Sequence, residues 1–340
     1  MTTTTAPHPR DALFEAHEAA TTLPVCDHYC GVEARMRKSL ALQAELGPVF
    51  DITLDCEDGA PLGGEAAHAH MVAELAMSTE NRFGRVGARV HPVDHPSFAD
   101  DVATLVGRAG DRLAYLTVPK PRSVAEVERA CAEIDHQSRV RGLVRALPVH
   151  VLIETHGALR EVEAIAEHPR VESLSFGLMD FVSAHRGAIP ATGMSAEGQF
   201  THPLVLRAKL AIAAACHGFA KTPSHCVVTE FNDSRAIMAA ATRASRELGY
   251  TRMWSIHPNQ IEPIVEAFAP SAAEVEQAYL IVSAAQEAQW APINHRHHGR
   301  DTLHDRASYR YFWQVLERAH RTGQPLPAQA KIAWFDTSRA

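Results

Sequence analysis

Short runs of apolar and β-branched residues return eight times along this chain, and a longer stretch with helical spacing follows each of them. No other feature constrains the fold as strongly. Neighbouring parallel strands need a crossover between them, usually a helix, so this alternation specifies repeated βα units around a parallel sheet. The predicted strands are Leu23–Asp27, Phe50–Leu54, Ala88–Val90, Ala114–Val118, Val149–Ile153, Leu174–Phe176, a weakly marked run at Cys226–Val228, and Met253–Ile256. Two of the intervening helices are well patterned, "SVAEVERACAEI" (123–134) and "DSRAIMAAATRASRELG" (233–249), the second opening on an Asp cap and closing on Gly249. Eight alternations in 340 residues imply an α/β TIM (β/α)8 barrel more than an open doubly wound sheet, and no GxGxxG follows the first strand. The expected organisation is an N-terminal segment over residues 1–20, a barrel catalytic domain over 21–290, and a C-terminal helical extension over 291–340.

A net charge of −7 without any basic run excludes the electrostatic footprint of a nucleic-acid binder, so an anionic substrate would need a local basic pocket. The first twenty residues lack the charged start and apolar stretch of a secretory signal. No apolar run approaches the ~18–20 residues of a membrane span, and the expected location is cytoplasmic. Six cysteines with no CxxC pair read as reduced thiols, not a disulfide framework. "CDHYC" (Cys26, His28, Cys30) resembles half of a zinc site, but no second ligand pair follows, and the thiols read as small buried hydrophobes.

Chemistry in a parallel barrel sits at the C-terminal ends of the strands. After the second predicted strand, "FDITLDCEDGAP" places Asp55, Glu57 and Asp58 close together, and three carboxylates there require neutralisation. The third strand carries Arg89, the fourth runs into "VPKPR" with Lys120, the fifth ends on Glu154, the sixth leads to Asp180, and the eighth to His257. Acids, bases and an imidazole thus gather at one rim. Glu154 and Asp180 could supply two oxygens to a hard divalent cation, with substrate and water completing the shell; the alternative is a surface acid or, for Asp180, a helix cap. Arg89 offers a planar fork for a carboxylate, and beside Glu57 and Asp58 it would neutralise them and be oriented by them. Lys120, held between prolines, would contact an anionic substrate or pair with an acid. His257, just before Pro258, would order its loop or face substrate. "NHRHHGRD" (294–301) reads as a solvated loop, not a metal site.

These pieces, in order, resemble the citrate lyase beta-subunit and malyl-CoA lyase group of the HpcH/HpaI aldolase superfamily. The matching segments are "LDCEDGAP", "ARVHP", "VPKPRS", "IETHGAL", "SFGLMDF" and "GYTRMWSIHPNQI" with "FAPSAAEVEQA", across roughly residues 23–285. The resemblance implies a Mg²⁺-dependent TIM barrel, assembled as a homotrimer or hexamer, that cleaves or forms a carbon–carbon bond between a 2-oxo acid and the α-carbon of an acyl-CoA. It makes Glu154 and Asp180 metal ligands, Arg89 the clamp on the oxo acid, and Glu57 and Asp58 the acids that orient arginine and metal-bound water. It also assigns a catalytic role to Asp305, on a C-terminal segment that lids a neighbouring subunit's site. The chain departs from the family pattern at His91, at Thr155 and His156, and at Arg252, Met253 and Trp254, near where the family accommodates substrate or the CoA arm. The alternatives are a CoA-independent pyruvate aldolase acting on 4-hydroxy-2-oxo acids and a non-catalytic barrel that binds metal and ligand.

Overall fold

The computed structural model describes residues 7–15, 23–297 and 299–336. Eight parallel strands close into a barrel: β1 (Cys26–Cys30), β2 (Phe50–Asp55), β3 (Val86–Arg89), β4 (Leu113–Val118), β5 (Val149–Ile153), β6 (Val171–Phe176), β7 (Thr222–His225) and β8 (Arg252–Ser255). β1 pairs with both β2 and β8, which leaves no open edge.

Alternation along β2 shows how the sequence meets the two sides of the wall. Phe50, Ile52 and Leu54 join the apolar layer shared with helix residues such as Met36 and Leu40. Asp51, Thr53 and Asp55 project the other way, onto Arg252, Tyr115 and Arg89. The acids in an otherwise apolar run are therefore the inward half of a period-two pattern.

Strand ends shift by one to three residues at several places, and two strands are displaced most from the expectation. β1 lies at Cys26–Cys30 and not at Leu23–Asp27, because its polar residues Asp27 and His28 are accommodated by partners inside the structure. β7 is Thr222–His225, and Cys226–Val228 follows it as loop: "TPSH" has none of the apolar character that marks a strand, and its register with Ser173–Ser175 fixes it. The helix opened by Asp233 spans Ser234–Glu247, with the Asp233 carboxylate accepting from the Arg235 and Ala236 amides.

A second compact unit is formed by the described residues among 7–15 and 269–336, and the barrel unit ends at Phe268. The helix Ala272–Glu287, grouped with the barrel in the sequence reading, belongs to this second unit. Its Val275, Ile281 and Val282 pack with Tyr309, Trp313 and Leu316 of the helix Arg306–Arg321. The stretch 294–301, expected as a loop, falls instead on an antiparallel hairpin of β9 (Ile293–His297) and β10 (Arg300–His304), with Gly299 at positive φ between them. No helix among the described residues is long and apolar enough to cross a membrane.

One buried group in the barrel unit carries a stability prediction. Lys209 is fully buried without a carboxylate: its ammonium donates to Gln199 Oε1 at 2.7 Å and lies 3.9 Å from the Phe200 ring centre. Burial pushes its pKa down to about 8. Below that pH the folded protein carries the full desolvation cost. As pH rises from 8 toward the unfolded value, the unfolded chain holds the extra proton and the cost disappears. Lys209→Met is expected to stabilise the barrel by about 1–3 kcal/mol at pH 7, with the gain fading by about pH 10.5. Urea unfolding at the two pH values measures it, and an equal gain at both would refute the explanation.

Candidate active site

Every charged residue that the sequence placed on the rim of the barrel unit is found there, and the acidic strand end is neutralised by two cations. Arg89 donates from Nε to Asp55 Oδ1 at 2.7 Å and from Nη2 to Asp55 Oδ2 at 2.5 Å, while Nη1 lies 3.0 Å from Glu57 Oε2. Asp55 is a fixed seat for this fork, since its oxygens also accept the Glu57 amide at 3.0 Å and the Gly59 amide at 2.8 Å. A side chain at Gly59 would collide with that carboxylate, so the close approach requires glycine. Burial works against the Arg89 charge, but Asp55 and Glu57 more than offset it and hold its pKa above the ordinary value.

Lys120 neutralises the remaining acids. Its Nζ lies 2.5 Å from Glu57 Oε1, 2.6 Å from Asp58 Oδ2 and 3.7 Å from Asp180 Oδ1. Its backbone sits at φ +51°, uncommon for a residue with a side chain, between Pro119 and Pro121. That turn aims its amide at Glu154 Oε1, 2.7 Å away. Burial raises the Glu57 carboxyl above its usual range against the pull of Arg89 and Lys120. Burial also acts to raise Asp58, but Lys120 outweighs it and the carboxyl sits below the usual range.

Glu154 follows β5 and is buried, with Gly177 pressed so closely against Oε2 that any side chain there would clash. Burial, and then the charge of Asp180, push its pKa up to about 8. Asp180 stands in the first turn of the helix Leu178–Ser183, partly exposed. Among the described residues no group of three or more His, Cys, Asp or Glu could hold a metal ion.

Beside the charges lies a cavity of about 600 Å³, lined by Arg89, Asp55, Tyr29, Trp254, Phe231 and His257 among others. The Arg89 guanidinium lies 5.5 Å and 5.7 Å from the ring centres of Tyr29 and Trp254. His257 caps the turn Pro258–Gln260, accepting the Asn259 amide on Nδ1, and stacks on Phe231 at 4.7 Å. Asp305 lies in the other unit, where Oδ1 accepts the Ala307 and Ser308 amides and caps the helix Arg306–Arg321.

Sequence reasoning missed several members of this site. Asp55 was counted among the acids without being assigned the Arg89 fork, although period two from Asp51 marks it as inward. Tyr29, Phe231, Arg35 and Lys38 carried no signal, because a cavity wall has no local spacing. Arg35 and Lys38, on the helix Glu33–Leu46, add positive charge to the cavity.

Arginine, lysine and paired acids thus gather at the C-terminal rim of a parallel α/β barrel. Residues 44–258 match the model of the HpcH/HpaI aldolase/citrate lyase family, and the chain belongs to that family. The chain is 54% identical to a citrate lyase from Burkholderia xenovorans of known structure, with 97% of this chain and 100% of that one covered at a TM-score of 0.83. Among curated relatives, an L-malyl-CoA/beta-methylmalyl-CoA lyase of Cereibacter sphaeroides is 29% identical over 70% of this chain and 77% of its own length. A (3S)-malyl-CoA thioesterase of the same species is 27% identical over 74% and 81%. The citrate lyase beta subunit of Mycobacterium tuberculosis, complexed with oxaloacetate and magnesium, shares the fold at 20% identity and a TM-score of 0.58, over 75% of this chain and 100% of that one. The protein is a carbon–carbon lyase by class.

Proposed function

We propose that this lyase acts on a CoA thioester, joining or separating a 2-oxo acid and the α-carbon of an acyl-CoA, with Mg²⁺ held by Glu154 and Asp180. The observation that carries this reading is the arrangement at the rim: a seated arginine, the acids Glu57 and Asp58 held by Lys120, and two further carboxylates beside one cavity. The donor set suits the ion. Both groups are carboxylates, the oxygen ligands a hard cation takes, and the Glu154 charge is disfavoured where it stands and gains from a nearby cation. When bound, Mg²⁺ supplies positive charge that offsets the negative charge building on a substrate oxygen.

The chain's own residues do the rest. Asp55 takes two of the five N–H groups of Arg89 in hydrogen bonds and Glu57 lies against a third nitrogen as an ion pair, leaving N–H groups for the carboxylate or carbonyl oxygen of the oxo acid. Because the guanidinium is already seated, little ordering is left to do when substrate binds. Lys120 fixes Glu57 and Asp58, and its amide orients Glu154. Arg35 and Lys38 give the cavity the local positive charge that an anionic thioester carrier needs in a protein of net charge −7. The proposal extends to a cytoplasmic homotrimer or hexamer, in which the C-terminal unit brings Asp305 to a neighbouring subunit's site. The family resemblance supports this, and light scattering on the purified protein tests it.

Mass spectrometry tests the reaction: purified protein with Mg²⁺ and glyoxylate or oxaloacetate, offered acetyl-CoA, propionyl-CoA or pyruvate in separate tubes. The expected result is a new hydroxyacyl-CoA adduct in a thioester tube. An adduct with pyruvate alone would move the protein to the aldolase reading. Release of free CoA from an offered thioester without any adduct would make it a thioesterase.

A further inference from the structure

His28 projects from β1 to the outer side of the wall and contributes to the cavity that holds Arg89, Arg35 and Lys38. Its hydrogen bonding determines which ring nitrogen carries the proton. Ser255 Oγ donates its only hydrogen to the His257 carbonyl, 3.0 Å away. The 3.0 Å contact between Ser255 Oγ and His28 Nδ1 must then run the other way, with Nδ1–H donating. Burial pushes the His28 pKa down to about 4, so the ring is neutral at physiological pH. Nε2 is therefore a bare acceptor, and among the described residues the ring's hydrogen bond is the one at Nδ1.

This acceptor stands in a cavity whose cationic side chains, Arg35, Lys38 and Arg89, are donors, and whose lining carboxylate, Asp55, is already taken up by Arg89 and the Glu57 and Gly59 amides. Anionic parts of a ligand go to those donors; a lone-pair nitrogen there selects for a neutral N–H or O–H. We propose that His28 is a specificity-determining residue that accepts a hydrogen bond, through Nε2, from an amide N–H in the arm of the CoA thioester. The inference rests on the CoA-thioester reading above. In that reading the phosphates meet Arg35 and Lys38 and the reacting end meets Arg89, so the stretch passing His28 is the amide-bearing arm between them. A fixed neutral acceptor there favours a thioester carrier over a free 2-oxo acid without a hydroxyl, which offers no such donor.

Titration calorimetry of the full chain with coenzyme A itself, together with steady-state kinetics on the thioester and oxo-acid pair found by mass spectrometry, tests this. His28→Leu is expected to weaken CoA binding and raise the thioester KM by about 5- to 10-fold, with kcat and the oxo-acid KM unchanged. His28→Gln, which restores a side-chain acceptor, is expected to recover most of the loss. Ser255→Ala, a small change that frees Nδ1 and the tautomer, should cost about 3-fold and serves if His28→Leu does not fold. Wild-type CoA affinity in both His28→Leu and Ser255→Ala overturns the proposal and leaves the CoA reading standing. So does a loss that falls on the oxo acid, or one confined to acyl groups bearing a hydroxyl. Failure of the wild type to bind CoA at all overturns both.

Discussion

Glutamine in place of Glu154 is expected to lower turnover by at least about 10³-fold while leaving the barrel folded. The substitution keeps the shape that Gly177 closely contacts and the oxygen that accepts the Lys120 amide. It removes only the charge, and that charge is buried and disfavoured where it stands. Stability should therefore hold or rise, so lost activity cannot be assigned to unfolding. A second readout separates the metal from the chemistry: Mg²⁺ should raise the melting temperature of the wild type and fail to do so in Glu154→Gln. Full kcat in the variant, or an undiminished Mg²⁺ shift, would remove Glu154 from the metal site.

The barrel was legible because its signal is repeated: eight alternations outweigh one poor strand, and β7 could be misplaced without changing the fold. What failed was local. β7 reads "TPSH", and nothing in its composition announces a strand; its place is set by pairing with β6, information that resides in the neighbour. The unit boundary was misjudged for a related reason. The helix Ala272–Glu287 has the same Ala-rich texture as barrel helices, and only its contacts with Trp313 and Leu316 assign it elsewhere.

The charged rim was legible because chemistry at a strand end is local in sequence. Arg89 ends a strand, Lys120, Glu154 and Asp180 each come after one, and the cluster at 55–58 could be seen to need a counter-charge. The identity of that counter-charge was half visible. Arg89 was expected beside Glu57 and is there, but it is seated chiefly on Asp55, while Lys120, read as a substrate contact or an acid's partner, holds Glu57 and Asp58. The positive φ of Lys120 that aims its amide at Glu154 has no signature beyond two flanking prolines.

Arg252→Met is expected to destabilise the barrel by about 3–5 kcal/mol, a large fraction of the ~5–15 kcal/mol that holds a typical domain together. Arg252 is fully buried; Nη1 lies 2.6 Å from Asp51 Oδ2 and 2.9 Å from the Pro24 carbonyl, and Nη2 is 3.0 Å from Asp27 Oδ2. Methionine fills much of the same volume but leaves two carboxylates inside the wall. Asp51 would keep Arg85 at 2.7 Å, while Asp27 would retain only the Thr53 and Tyr115 hydroxyls. The cost arises from stranded charge, not from the pair's own strength, because burying both partners is itself expensive. Removing the charge on the other side should therefore restore stability: Arg252→Met combined with Asp27→Asn is expected to recover about half of the loss or more, since an amide at residue 27 still accepts from both hydroxyls. Urea unfolding of the three proteins gives the comparison. If the double variant is no better than Arg252→Met, the loss came from packing around a large side chain, and the ion network inside the barrel is incidental to its stability.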